Sequence, residues 1–298
     1  MNRTIRPRDP EWPERLSELA PHEPVKLLFA RGRTIDPDAP AVAVVGTRRP
    51  SAAGIEAATS IARALGEAGV VVVSGLAVGI DAAAHRAALD AGATTIAVLG
   101  CGLDVAYPQR NRALKGAISE RGTLVTEYPN GTHPTKAYFP QRNRIIAGLS
   151  LGVVVIEGAI TSGALVTARL ALEANRNVYA LPGSIRNPMS QGPNELIRTG
   201  RAALVTKPEH IFEDLAPTLV WEPRAESKAP RRVELDELEQ SLLAHLDDAP
   251  VAPDRLASAL DVPPGRMAVA LSKMEVRGLV ARRPGGYEIT GAGARARG

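Results

Sequence analysis

The stretch 41 AVAVVGTRRPSAAGIEAATSIARALGEAGVVVVSG 75 decides the fold class. It opens on a five-residue apolar run closed by Gly46. It ends on a second run, Val70–Val73, closed by Ser74 and Gly75. Between them Ile55, Ala58, Ile61, Ala62 and Leu65 recur on one helical face. A strand that is apolar at every position, rather than at every second one, is buried on both faces. Two such strands joined by a helix read as a parallel βαβ unit.

The same alternation continues downstream. DAAAHRAALDAG (81–92) reads as a helix and TIAVLG (95–100) as a strand. PQRNRALKGAISE (108–120) reads as a helix with Pro108 near its first turn, and GTLVTE (122–127) as a strand. RNRIIAGLS predicts a helix, GVVVIEG (152–158) a central strand, GALVTARLALEAN (163–175) a helix and NVYALPG (177–183) a strand. Upstream, KLLFARG (26–32) reads as a short strand in a Pro-rich segment. Beyond about residue 215 the composition shifts to charges and prolines without periodicity, as in a linker. LDELEQSLLAHLDD, APDRLASALDV and PPGRMAVALSKMEVRGLV then read as three helices, and ARRPGGYEIT as two strands joined by PGG. Three helices and a hairpin make the winged form of a helix-turn-helix. The expected fold is therefore α/β: a Rossmann-like, mostly parallel sheet covered by helices on both faces, plus a small C-terminal winged-helix domain. The expected boundaries are a short N-terminal extension (1–40), the sheet domain (41–216), a linker (217–233) and the winged-helix domain (234–298).

Bulk properties narrow the function. The 298 residues are 45% hydrophobic and 23% charged, the balance of a globular protein rather than a disordered one. A formal charge of +4 suits a polyanion partner without demanding one. The one cysteine, Cys101, excludes an internal disulfide and a Cys-rich zinc site. The five histidines (His22, His85, His133, His210, His245) are scattered singly, so no metal site is expected. MNRTIRPRDPEWP carries no apolar run after its arginines, and no run approaches a membrane span. A cytoplasmic protein without a membrane partner is expected. Neither G-x-G-x-x-G spacing nor GK[ST] occurs in these loops, so neither a dinucleotide fingerprint nor a Walker loop is present, and no cofactor is expected.

The post-strand loops hold the candidate site. GTRRPSAAG (46–54) leads from Gly46 into a helix N-terminus, where backbone amides attract anions. Arg48 and Arg49 add forked donors suited to phosphate, and Ser51 can cap the helix or donate to a phosphate; solvated arginines on a tight turn are the plain alternative. In SGLAVGIDAAAH (74–85), Ser74 and Gly75 end a parallel strand, where open sheets bind ligands. Asp81 and His85, four apart, read as an acid–base pair or, more simply, as a helix cap and an orienting or structural histidine. GCGLDVAYP (100–108) is flexible enough to wrap an anion, with Asp104 and Tyr107 shaping it. In IEGAITSGALVTA (156–168), Thr161, Ser162 and Gly163 lead into another helix N-terminus, and Glu157 stands as a candidate for a ribose, a base donor, or Arg142 or Arg144. The stretch YFPQRNRIIAGLS (138–150) reads best as nucleic-acid binding. Arg142 and Arg144 supply phosphate contacts, Lys136 extends the charge, and Phe139 stacks on a base of any identity. The competing reading buries Phe139 and leaves the arginines to solvent.

Taken together, GTRRPS (46–51), SGLAVGIDAAAH (74–85), LGCGLDVAYPQRN (99–111), FPQRNRIIAGLS (139–150), EGAITSGALVTA (157–168), NVYALPG (177–183) and QGPNELIRTGRA (191–202) resemble the DNA-processing protein A family, also called Smf. The resemblance covers roughly residues 40–215, and the tail resembles the C-terminal domain of many members. It implies a homodimer that binds single-stranded DNA, protects incoming strands during natural transformation and helps load the RecA recombinase, with no established enzymatic reaction. On the family's pattern Arg48 is the arginine of the phosphate pocket, with Gly46 and Thr47 beside it; Thr47 replaces the commoner Ser and keeps the hydroxyl. Phe139, Arg142, Asn143 and Arg144 fall on the aromatic, the arginines and the asparagine of the F-P-x-R-N-R motif, with Gln141 at the variable position. The winged unit is expected to touch duplex DNA through Arg266, Lys273 and Arg277 or Arg282 and Arg283, or else a protein. A different class of reading is a nucleotide-acting enzyme of the phosphoribohydrolase type. Its P-G-G-x-G-T-x-x-E pattern is not found at 157–168.

Overall fold

In the computed structural model, which describes residues 2–19, 24–215, 235–247, 249–290, 293, 296 and 297, the stretch 41–75 folds as a strand, a helix and a parallel strand. In chain order the sheet domain holds β1 (Asn2–Ile5), β2 (Leu28–Gly32), β3 (Ala41–Val45), α1 (Ala52–Glu67), β4 (Val71–Ser74), α2 (Ile80–Asp90) and β5 (Thr95–Val98). It continues with α3 (Arg112–Arg121), β6 (Thr123–Thr126), α4 (Tyr138–Leu149), β7 (Gly152–Val155), α5 (Gly163–Glu173) and β8 (Asn177–Ala180). It ends with α6 (Gln191–Arg198), β9 (Ala203–Leu204) and α7 (Glu209–Leu215).

Among the described residues one sheet has the order β1-β2-β6-β5-β4-β3-β7-β8-β9. The run from β6 to β9 is parallel; β1 and β2 are antiparallel to their neighbours. Both faces are covered, as the uninterrupted valines require. Ile96 and Val98 of β5 join the core formed with α4 and α5, whereas Ala97 between them packs with Leu89 of α2 and Leu114 and Ile118 of α3. Helix α1 buries the expected Ala58, Ile61, Ala62 and Leu65. The order places β4 on one side of β3 and β7 on the other. The chain therefore leaves β3 in one direction and returns on its opposite flank. That reversal opens a crevice at the carboxyl ends of β3 and β7, where doubly wound sheets bind ligands.

The first forty residues, expected as an extension, supply two strands of this same sheet. Ile5, Trp12, Leu16, Leu19, Leu28 and Ile35 all enter the main core. Arg3 is clamped by Glu11 (Nη2–Oε2 2.7 Å) and donates through Nη1 to the Gly32 carbonyl (3.0 Å). Asn2–Ile5 is too short and too polar to show a strand period; it pairs because β2 offers it an edge. The linker expected over 217–233 lies outside the described residues, as does His22.

The C-terminal unit has α8 (Glu237–His245), α9 (Pro253–Leu260), α10 (Pro264–Val276), β10 (Val280–Arg283) and β11 (Gly286–Ile289). Leu242, Leu243, Leu256, Met267, Leu271 and Met274 form its core. A reciprocal capping box at Asp236 and Glu239 starts α8. Of the cations expected to face duplex DNA, three are held by carboxylates: Arg277 and Lys273 by the buried Glu239 (2.8 and 3.1 Å), and Arg283 by Glu288 (2.9 Å). Arg266 and Arg282 are exposed. Among the described residues no helix is long and apolar enough to cross a membrane.

His85 does not meet Asp81. It is fully buried, and its Nδ1 contacts Thr95 Oγ1 (2.7 Å), whose hydroxyl donates to the Val72 carbonyl (2.7 Å). The hydroxyl must then accept from the imidazole, so the proton sits on Nδ1. Burial first, then the Arg142 and Arg86 charges, pull the His85 pKa from 6.5 down to about 3. The unfolded chain therefore takes up a proton that the fold refuses. His85 stabilises the fold fully above pH 6.5, and that contribution falls at ~1.4 kcal/mol per pH unit until about pH 3. Urea unfolding across this range is expected to show the slope, and His85→Gln is expected to flatten it; an unchanged slope in the variant contradicts the assignment.

Candidate nucleic-acid interface

The turn after β3 is pinned from two sides. Thr47 N donates to the Glu157 carbonyl (2.7 Å), and the Thr47 carbonyl accepts from Ile80 N (3.2 Å). A Cβ on Gly46 would lie 2.6 Å from Ile80 Cγ1, so no larger residue fits the turn as it stands. Thr47 Oγ1 accepts from Arg49 N (3.2 Å) and donates to Met189 Sδ (3.3 Å). With its neighbours held this way, Arg48 projects outward and is exposed. Its guanidinium carbon lies 5.5 Å from the centroid of the Phe139 ring, at cation–π range.

Helix α4 starts at Tyr138, four residues earlier than RNRIIAGLS alone predicts. Pro140 falls in its first turn, where a missing N–H costs nothing. The two adjacent aromatics therefore diverge around a helix. Tyr138 stacks on Tyr128 (centroids 4.2 Å apart), while the half-buried Phe139 leans on Tyr107 (5.6 Å). Arg142, one turn on, shares the Phe139 face.

Arg142 is not a solvent-facing phosphate contact. It is 5% exposed, and its Nη1 donates to the carbonyls of Gly75 (2.7 Å) and Val98. It thus ties the carboxyl ends of β4 and β5 together. Gly75 must be glycine for this: a Cβ there would lie 2.4 Å from Nη1. Asp81 Oδ2 accepts from Gly75 N (3.1 Å) and Ala77 N (3.3 Å), so it folds the loop ahead of its helix instead of capping the helix at Gly79. Burial pushes the Asp81 carboxyl up and the Arg142 guanidinium down, and each group's charge opposes the other's shift. Nε of Arg142 is buried without a hydrogen-bond partner.

Two cavities meet at this point. A cleft of about 530 Å³ at the β3–β7 crevice is lined by Gly46, Thr47, Arg48, Asp81, Phe139, Arg142, Asn143, Ser162, Gly163 and Met189, among others. A smaller hollow of about 60 Å³ lies beside it, walled by Gly75, Gly100, Cys101, Tyr107 and Pro108. Arg48, Phe139 and Arg142 line both. On the far side Asn143 Nδ2 donates to the Gly163 carbonyl (3.2 Å), and the buried Ser162 Oγ at the N-cap of α5 has no hydrogen-bond partner. The cleft thus presents an exposed cation, an aromatic ring and the N-terminus of an eleven-residue helix, a set of groups that suits phosphate and a flat base.

Other expected residues lie apart from these cavities. Ser74 is wholly buried and donates to the Val44 carbonyl (2.7 Å), so its hydroxyl is unavailable to a ligand. Arg144 pairs with Glu127 (2.9 Å), and its charge serves the fold. Ser51 Oγ accepts from Gly54 N (2.9 Å), taking the capping alternative. Lys136 and Thr161 are exposed outside both linings. Glu157 accepts from Asn187 Nδ2 (3.2 Å) and meets neither ligand space nor Arg142. Asp104 does shape its loop, accepting from Gly131 N (2.9 Å). Met189 as a partner of Thr47 had no sequence signal, because the two lie 142 positions apart in the chain. Asp81 stands out in the sequence, but as a helix cap or half of an acid–base pair rather than as a cleft wall. Tyr107 had one: an aromatic in a post-strand loop of a chain with 3% aromatics. Among the described residues no cluster of His, Cys, Asp and Glu could hold a metal.

The family model described as DNA recombination-mediator protein A matches residues 3–216, and one described as the DprA winged helix domain matches 226–286. Protein Smf of Escherichia coli (strain K12) is 41% identical over 96% of this chain and 77% of its own length. The solved DNA processing protein A of Streptococcus pneumoniae is 42% identical with a TM-score of 0.66, over 74% of this chain and 75% of its own. That of Helicobacter pylori, whose structure was described for its single-stranded DNA binding mode, is 31% identical with a TM-score of 0.66, over 74% of this chain and 97% of its own.

Proposed function

The chain belongs to the DNA recombination-mediator protein A family, and on that premise we propose that it binds single-stranded DNA in the cleft at the carboxyl ends of β3 and β7. The observation that carries the reading is the meeting of Arg48 and Phe139 on one open wall of that cleft. Arg48 takes a phosphate beside the turn after β3. Phe139 takes the face of a base, which must be unpaired to reach it. The α5 N-terminus, with Ser162 and Gly163, faces the next phosphate. Arg142 and Asp81 hold the wall in place and do not touch the strand.

In this reading the protein performs no chemistry of its own. It works as a homodimer in the cytoplasm, covers incoming strands during natural transformation and passes them to the RecA recombinase. In this reading the sheet, to which the first forty residues contribute two strands, holds the DNA, and the winged unit expected over 234–298 has a separate task. On α10, Val269 and Val276 are 69% and 89% exposed while Lys273 and Arg277 are paired. That face favours a protein contact over duplex DNA.

Titration of a fluorescent oligothymidine at several salt concentrations tests the reading. The logarithm of affinity is expected to fall with log salt by about 0.7 per phosphate contact, and duplex is expected to bind more weakly. A flat salt dependence, or duplex bound as tightly as single strand, counts against it.

A further inference from the structure

A second basic surface lies on the same unit, outside the cleft. A groove of about 290 Å³ runs between α2 and α3, lined by Arg86, Arg110 and Arg121 around Leu89 and Leu114, with Asp90 the acid in its wall. Arg86 and Arg110 are exposed and, among the described residues, pair with no carboxylate. Arg121 donates one N–H to the Leu89 carbonyl (3.1 Å) and keeps its remaining donors. Three guanidiniums against one carboxylate leave the groove strongly positive. No aromatic lines it, so it offers charge without a stacking platform.

The loop after β5 links the smaller hollow beside the cleft to the groove. Tyr107 and Pro108 wall the smaller hollow, and Arg110 stands two residues further along the same loop. Both helices begin at the carboxyl ends of their strands, β4 and β5, and run to the opposite edge of the sheet. The ten residues of α3 therefore carry the groove about 15 Å away from the cleft.

Resting on the single-stranded DNA reading, we propose that the α2–α3 groove holds the phosphate backbone of the strand as it leaves the cleft. The strand passes Tyr107, meets Arg110 and Arg86, and ends at Arg121. Because only phosphates are read, the contact is independent of sequence. It also lengthens the binding site beyond what the cleft can occupy.

The experiment compares oligothymidines of about 6 and about 30 nucleotides on the full chain and on the Arg86→Gln, Arg110→Gln double variant. Neither side chain hydrogen-bonds within the described residues, so an unchanged melting temperature is expected. The longer oligonucleotide is expected to bind on the order of tenfold more weakly to the variant, with a salt slope shallower by about 1.4, while the shorter one is unaffected. Equal losses for both lengths place these arginines in the cleft's own site and overturn the proposal. Unchanged binding of both lengths overturns it too, and leaves the groove to an acidic protein segment. A wild-type chain that binds neither length removes the proposed function itself, and the groove's role with it.

Discussion

Arg142→Ala is expected to destabilise the sheet unit by about 3–5 kcal/mol, the loss typical of leaving a buried charge uncompensated. Three effects add. The carbonyls of Gly75 and Val98 lose their shared donor. The buried Asp81 loses the cation that offsets its desolvation. A void opens under α4 where the guanidinium sat. A chemical denaturation midpoint measures the loss, and a change below about 1 kcal/mol contradicts the staple. Asp81→Asn in the Arg142→Ala background is expected to recover part of it, because the orphaned charge is then gone. Gly75→Ala is expected to be as harmful, since its Cβ would sit 2.4 Å from Nη1. DNA binding separates this role from phosphate contact. Arg142→Ala is expected to weaken binding by misplacing Phe139 while leaving the salt slope unchanged. A shallower slope would make Arg142 a phosphate ligand after all.

Arg48→Ala is expected to do the reverse. Arg48 is exposed, and its one close partner among the described residues is the Phe139 ring. Stability should hardly move. Affinity for single strands should drop on the order of tenfold or more, with a salt slope shallower by about 0.7. Phe139→Ala is expected to lose about 1–3 kcal/mol of base stacking and most of the preference for single strands over duplex. The two losses should not add, because the cation orders the ring and the ring orders the cation. Binding unchanged in both variants would move the DNA site away from this wall.

Of the fold, the βαβ alternation and the winged unit were legible, because they rest on local periodicity. Apolar runs of four to six residues between helical repeats allow little else than a parallel sheet covered on both faces. What was missed has no local signal. NRTI became an edge strand because a partner was available, and YFPQ became the first turn of α4 because the aromatics found Tyr128 and Tyr107. The residue types of the site were legible too, since glycines, arginines and a rare aromatic cluster in the loops after the strands.

The amino-acid sequence by itself determined which loops follow the strands of a parallel sheet, and so lie at its carboxyl edge, and which chemistry they carry, because both follow from patterns a few residues long; the order of the strands did not. Only the tertiary structure decided which arginine faces the ligand. Arg48, Arg142 and Arg144 are chemically alike along the chain. Their roles diverge through contacts with other segments: an aromatic ring for the first, two strand-end carbonyls for the second, and Glu127 for the third. A guanidinium is drawn to whichever acceptors the fold leaves within reach, and that is a property of three-dimensional neighbours rather than of the residue.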